Sequence, residues 1–140
     1  YAAARRECDG WLDSAEGSLA LIILLDQFPR NCFRGTGHMF ATDPLALHLA
    51  TKAIAAGQDM KLETDLRVFI YLPYEHSERL ADQDISVDLT AARAAEYLEY
   101  AVEHRDIIRR FGRFPHRNTA LGRKTTAAEQ EFLDGGGFSG

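Results

Sequence analysis

The residue types most suited to holding an anion and moving a proton gather in residues 104–118. This stretch contains His104, Arg113, His116, Arg117 and Asn118. Guanidinium groups bind carboxylate or phosphate through two parallel hydrogen bonds, which lysine cannot copy, and histidine exchanges protons near neutral pH. We therefore expect Arg113, Arg117 and Asn118 to bind a ligand, and we treat His104 and His116 as candidate catalytic residues.

A second candidate position is Asp26, which directly follows seven apolar residues, 19–25. A carboxylate at the C-terminal end of a buried helix opposes the helix dipole and is costly to desolvate, so it needs a cation or several donors nearby. Arg30 and Arg34 are the local cations. Two interpretations stay open: Asp26 ties down this corner of the chain, or it belongs to a ligand site together with Arg30 and Asn31.

The third position is His76, which lies among carboxylates that favour its charged form. His76 is a further candidate catalytic residue and Glu78 a further candidate ligand-binding residue. The acids that follow match neither an HExxH motif nor a calcium-binding loop, so we predict no metal site and no other cofactor. The structural alternative is that Ser77 caps a helix and that the acids stabilise its first turn.

The charges of the chain are unevenly distributed along the sequence. Residues 105–124 carry six arginines and one lysine against one aspartate, a net charge of +6, whereas residues 75–103 carry eight acids against two arginines, a net charge of −6. Such blocks can neutralise each other across a helical hairpin, and any unpaired charge would face a cleft. The net charge of −5 argues against nucleic acid as a partner.

Length and composition indicate one globular domain covering residues 1–140. The chain is 46% apolar and 26% charged, which suffices to bury one core. Its longest apolar run is shorter than the roughly 20 residues that span a bilayer, so we expect no membrane span. Two cysteines without a CxxC pair favour a reducing compartment, and we expect a cytoplasmic protein. Homo-oligomerisation stays open.

Helical patterns separated by short corners predict an all-α fold. No period-two pattern persists long enough to build a sheet. The longest predicted helix carries an apolar seam that includes His104, and a histidine in such a seam is more often a satisfied core residue than a ligand. Helices are predicted over residues 16–28, 43–56, 64–73, 77–89, 90–110 and 127–133, followed by a flexible glycine-rich tail over residues 135–140.

One short motif occurs twice, as FPRN at residues 28–31 and as FPHRN at residues 114–118. Proline ends a helix, and asparagine tolerates the left-handed turn that follows. Each copy therefore delivers an arginine to a corner, and two such corners meeting would make a cationic pocket. The alternative is that they are two unrelated helix ends.

Several longer stretches, in this order and spacing, resemble the bacterial domain-of-unknown-function family 924: residues 24–31 (LLDQFPRN), 40–47 (FATDPLAL), 69–73 (FIYLP), 76–78 (HSE), 104–108 (HRDII) and 112–118 (GRFPHRN). The resemblance implies a tetratricopeptide-like fold, a right-handed array of stacked antiparallel helices. It also implies an N-terminal region before Tyr1, so we expect the natural chain to be longer. The resemblance supplies no reaction.

We expect a helical domain that binds a small anionic ligand in a pocket rich in arginine, histidine and aspartate. The alternative is a non-catalytic tetratricopeptide-like domain that binds a peptide segment. The two differ in geometry: a pocket requires Arg30, His76 and Arg117 to converge, whereas an interaction surface would scatter them along one face.

Overall fold

The computed structural model describes residues 1–138, and all regular structure within this range is helical, which confirms the predicted all-α fold. None of the helices in this range has the length and apolarity needed to cross a membrane. Ser139 and Gly140, the end of the predicted flexible tail, lie outside the described residues. The helices are α1 (Ala15–Ile22), α2 (Phe28–Cys32), α3 (Asp43–Ala55), α4 (Thr64–Glu75), α5 (Leu80–Arg93), α6 (Leu98–Phe111) and α7 (Ala127–Asp134).

Consecutive helices pack side by side from α3 to α6, and α1 packs against both α3 and α4. The main core lies between these helices and includes Leu21, Leu49 and Tyr71, all fully buried. A smaller apolar cluster around Ile108 and Phe114 joins α6 to the segment that follows it. This second cluster holds residues 112–118 against the body of the protein.

The helix predicted to end at Pro29 instead continues from α1 into α2 through a π-helical turn, Ile23–Gln27. Pro29 has no N–H to donate to the carbonyl of Leu25. The hydroxyl of Thr42 donates to that carbonyl instead, and the wider π turn accommodates the proline. Such turns inside α-helices are frequent at functional sites. Here the turn carries Asp26, which is 1% exposed.

Two further helix boundaries differ from the prediction on either side of His76. Pro73 lies inside α4 rather than at its end. The next helix begins at Leu80 instead of Ser77. The Ser77 hydroxyl accepts a hydrogen bond from the Arg79 N–H and donates to Asp82 at 2.6 Å, which stabilises the turn before α5 rather than capping a helix that starts there.

The long helix predicted over residues 90–110 is two helices. The chain leaves helical geometry at Ala94, where φ is −154°, and α6 begins only at Leu98. The guanidinium of Arg67 donates to the carbonyl of Arg93 at 2.8 Å, so a side chain from α4 satisfies the end of α5. The predicted seam of α6 is correct for His104, which is 5% exposed, and Gly112 ends the helix at φ 70°.

The two Phe-Pro motifs adopt different backbone structures. The first lies within the helix that contains α2, whereas Pro115–Arg117 forms a 3₁₀ turn after α6. Asn31 is helical and Asn118 has φ −57°, so the prediction of a left-handed asparagine is wrong at both sites. The last predicted helix begins as expected, because a capping box between Thr126 and Glu129, a pattern visible in the sequence, starts α7.

The bond from Thr42 to Leu25 generates a test of how the chain accommodates Pro29. Thr42→Val keeps the shape of the side chain but leaves a buried carbonyl without a donor. We expect a loss of about 1–3 kcal/mol in the free energy of unfolding, measured by urea denaturation. The exposed Thr119→Val serves as the matched control and should change stability little. Equal effects of the two substitutions would contradict this role for Thr42.

Candidate functional site

A cavity of about 380 Å³ lies between α2, the loop that follows it, the end of α4 and the segment after α6. Within the described part of the chain, every charged residue that lines this cavity is an arginine, while the acids of the neighbourhood lie behind the wall. The lining residues are Gln27, Arg30, Asn31, Arg34, Gly35, Met39, Phe40, His76, His104, His116, Arg117, Ala120 and Phe138.

The buried carboxylate behind this wall is Asp26, in the π turn. Its Oδ1 lies 2.7 Å from Nδ1 of His76 and 3.0 Å from the guanidinium of Arg30. The side-chain amide of Gln27 donates to Oδ2 at 2.6 Å. Burial opposes ionisation of Asp26, but the charges and hydrogen bonds of these neighbours outweigh it and hold the pKa of this carboxyl below its ordinary value. Asp26 therefore acts as a fixed negative charge behind the cavity.

A second acid, Asp43 at the start of α3, binds both arginines of the repeated motif. Arg30 donates to its two carboxylate oxygens at 2.8 Å each, and a further hydrogen bond at 2.8 Å ties Arg30 to the carbonyl of Asp26. Nη1 of Arg117 lies 3.6 Å from Oδ2 of Asp43. The sequence places these arginines 87 positions apart, and Asp43 brings their charges to one wall.

Arg117 is 6% exposed, and its guanidinium stacks against two phenylalanine rings. Its guanidinium carbon lies 4.6 Å from the ring centre of Phe40 and 4.5 Å from that of Phe114. It donates to the carbonyl of His76 at 2.9 Å, while its Nε has no hydrogen-bond partner among residues 1–138. Burial lowers the pKa of Arg117 to about 10, with Asp43 opposing the shift, so the group stays charged at neutral pH.

The histidine held by Asp26 has one nitrogen left for the cavity. Because Asp26 is ionised and only accepts, Nδ1 of His76 carries the hydrogen of their 2.7 Å bond. Nε2 of His76 has no protein partner among the described residues and belongs to a ring that lines the cavity. A carboxylate that orients a histidine in this way leaves the opposite nitrogen able to accept or donate a proton.

His104 and Glu75 form a buried pair at the inner end of the cavity. Nδ1 of His104 donates to the carbonyl of Tyr100 at 2.8 Å and lies 3.2 Å from the Glu75 carboxyl. Burial raises the pKa of Glu75 to about 7, with Asp26 and Glu103 adding to the shift. Burial also lowers the pKa of His104 to about 4. Despite their proximity, the two groups are therefore a neutral pair in mildly acidic solution, with the proton on the carboxyl.

His116 is the third histidine of the cavity. Burial lowers its pKa to about 4, and the neighbouring charge of Arg117 adds to the shift. Its Nδ1 is buried without a hydrogen-bond partner among residues 1–138. At neutral pH the inner cavity thus presents the uncharged imidazole rings of His104 and His116 beside charged arginines.

The structure brings together most of the residues that the sequence marked as candidates. Six line the cavity, and Asp26 lies directly behind it. Arg30, not Arg34, is the cation that pairs with Asp26. The six are Arg30, Asn31, His76, His104, His116 and Arg117.

Three of the marked residues lie outside this cavity, in a second polar network. Glu78 binds the guanidinium of Arg123 at 2.7 and 3.0 Å and accepts the N–H of Phe114. Arg113 binds Glu129 at 2.6 and 2.9 Å. The carboxylate that pairs with Arg113 therefore comes from α7 and not from the segment that contains Arg113.

Asn118 completes this network and is fully buried. Its carbonyl oxygen accepts from Arg123 at 3.0 Å, and its amide donates to Glu129 at 3.3 Å. Together these contacts fix the chain between α6 and α7, so they position His116 and Arg117 from behind.

Several residues of the site are not predicted from the sequence. Asp43 lies at the start of a predicted helix, where an acid is equally able to bind arginine. Arg34 lies four residues after Arg30, the helical spacing that places two side chains on one face. Phe138 lies in a glycine-rich tail, and no sequence pattern predicts that its side chain reaches the cavity.

Asp26 provides a direct test of the network behind the cavity. Asp26→Asn removes the charge that faces both Arg30 and His76, and breaking a buried pair in this way should cost about 3 kcal/mol of unfolding free energy. The exposed Asp106→Asn is the control and should cost less than about 0.5 kcal/mol. Urea denaturation of both variants measures the difference. A tolerated Asp26→Asn would show that the charge of Asp26 is not needed.

The raised pKa of Glu75 generates a pH-dependent prediction. The folded protein keeps this proton up to about pH 7, whereas the unfolded chain loses it near 4.5. Stability from this group is therefore present at low pH and lost as pH rises between these values. Relative to Glu75→Gln, the natural protein should lose on the order of 3 kcal/mol between pH 5 and pH 8.

Urea midpoints of both proteins at pH 5 and pH 8 measure this difference. The exposed Glu99→Gln is the matched control, and its stability should follow that of the natural protein at both pH values. If Glu75→Gln also follows the natural protein, Glu75 does not titrate as described.

Comparison with known proteins agrees with the geometry of the fold and assigns no activity. The family model of a bacterial protein of unknown function, DUF924, matches residues 1–137. A solved structure of a protein of unknown function from Agrobacterium tumefaciens is 59% identical, with a TM-score of 0.92, over 96% of this chain and 76% of that chain. No curated protein matches. The chain is therefore a member of the DUF924 family of bacterial proteins of unknown function.

Proposed function

We propose that this protein binds a small anion, a carboxylate or a phosphate, in the cavity between α2 and the segment after α6. The observation that carries the proposal is the charge of the wall: Arg30, Arg34 and Arg117 line the cavity, and within residues 1–138 no acid does. The cavity volume of about 380 Å³ falls in the range of small-molecule sites.

The neighbouring acids support this proposal because they hold the arginines without neutralising all of them. Asp26 and Asp43 both pair with Arg30, and neither lines the cavity. Arg34 is exposed and has no ion pair among the described residues, and the Nε of the buried Arg117 has no partner. A bound anion would supply the acceptor that these donors lack.

The three candidate catalytic histidines give the same site a means of moving protons. His76 is oriented by Asp26, and its ring lines the cavity, while burial lowers the pKa of His104 and His116 to about 4 and keeps both rings uncharged at pH 7. Imidazoles of such low pKa are weak bases, so we expect them to share hydrogen bonds with the ligand and His76 to be the residue that exchanges a proton. We keep these residues as candidates for catalysis within the binding site.

The second candidate function is protein interaction on a tetratricopeptide-like array. The packing of each helix on the next, from α3 to α6, favours it. That function, however, requires the polar residues to follow one extended face. Arg30 and Arg117 instead share Asp43, and Arg117 donates to the carbonyl of His76. Because the groups converge, we place anion binding first.

Anion binding can be measured by isothermal titration calorimetry with inorganic phosphate, sulfate and acetate at low ionic strength. We expect at least one of them to bind the natural protein. Arg34→Ala should weaken that binding by about tenfold, because one charge-assisted hydrogen bond is lost. Arg34 is exposed and forms no ion pair within residues 1–138, so its removal should leave stability unchanged.

The matched control is Arg110→Ala, which removes an equally exposed arginine outside the cavity. It should leave anion affinity unchanged. Equal weakening by both substitutions would indicate nonspecific attraction to net charge. Failure of the natural protein to bind any of the three anions would contradict the proposal.

A further inference from the structure

The C-terminal end of the described chain folds back into the cavity. Phe138 lines it, with its ring centre 4.5 Å from that of His104 and 5.2 Å from that of His116. Both pairs meet edge to face, which is a favourable arrangement of aromatic rings. The chain therefore places one of its own aromatic side chains in the cavity, in contact with two imidazole rings.

Glycines make this return of the chain feasible. Gly136 adopts φ 80°, a left-handed conformation that favours glycine. A Cβ on Gly137 would lie 2.5 Å from the ring of Phe132, so a side chain there would collide. Three backbone hydrogen bonds, from the N–H groups of Gly135, Gly136 and Gly137 to carbonyls at the end of α7, hold the turn at 3.0–3.2 Å. The backbone is therefore shaped to deliver Phe138 to the cavity.

The surroundings of the Phe138 ring suit an aromatic group in general. Neutral imidazoles of His104 and His116 contact it, and Phe114 lies behind both, 5.6 and 5.7 Å from their ring centres. The guanidinium of Arg117 packs on the other side of that network, 4.5 Å from Phe114. An aromatic subsite and the anion-binding arginines therefore belong to one cavity.

We infer that the ligand is an anion that carries an aromatic ring, and that Phe138 occupies the place of this ring until the ligand displaces it. This inference rests on the proposed function, because the arginines must hold the anionic group. Phe138 is only partly buried and packs on the edge of the smaller apolar cluster, so its displacement exposes less apolar surface than opening of the core would. The tail thereby acts as an internal competitor for the aromatic half of the site.

The test is titration calorimetry with two matched pairs of probes: inorganic phosphate against phenyl phosphate, and acetate against benzoate. Phe138→Ala should strengthen the binding of the aromatic member of the preferred pair by about tenfold, since a partly buried ring no longer competes. The affinity for the small anion should change less than about twofold. Phe28→Ala, an exposed phenylalanine outside this cavity, should change neither.

Gly137→Ala provides an independent variant that keeps the phenylalanine but clashes with Phe132, and it should act in the same direction. Weaker binding of the aromatic probe to Phe138→Ala, or an equal change for both members of a pair, would overturn the inference while leaving anion binding intact. Failure of phosphate and acetate to bind any of these proteins would instead overturn the proposed function.

Discussion

The site depends on one carboxylate shared by two arginines that are distant in sequence. Asp43 binds Arg30 through both oxygens and lies 3.6 Å from Arg117. Two guanidinium groups on one wall repel each other, and each loses hydration when buried. A carboxylate between them offsets part of both costs. Among the described residues, Asp43 is the one carboxylate that lies within 4 Å of both guanidinium groups.

The pairing of carboxylates with arginines also explains why the charges around the cavity lie in layers. Asp26 and Asp43 lie behind the wall, the arginines form it, and uncharged imidazoles line the inner end. Each buried acid has a cation, so the interior tolerates it, but the cavity surface remains positive. Glu75 is the exception: no arginine among the described residues forms an ion pair with it, and it keeps its proton up to about pH 7.

Sequence patterns predicted the helices well where local signals decide and failed where tertiary contacts decide. The capping box at Thr126 and the glycine stop at Gly112 depend on neighbouring residues. The break at Ala94 depends on a guanidinium from another helix, and the passage through Pro29 depends on the hydroxyl of Thr42. Likewise, the repeated Phe-Pro motif left open whether its two arginines meet, and the shared acid and the returning tail involve contacts that no sequence period encodes.

The most direct test of the account is a crystal structure of the protein grown or soaked with selenate, whose anomalous scattering locates the anion without ambiguity. We expect an anomalous peak inside the cavity, with the selenium about 4 Å from guanidinium nitrogens of Arg117 and Arg34, because the selenate oxygens accept hydrogen bonds of about 3 Å. Selenate found solely on the outer surface, with the cavity empty of it, would contradict the claim that this arginine wall is an anion site.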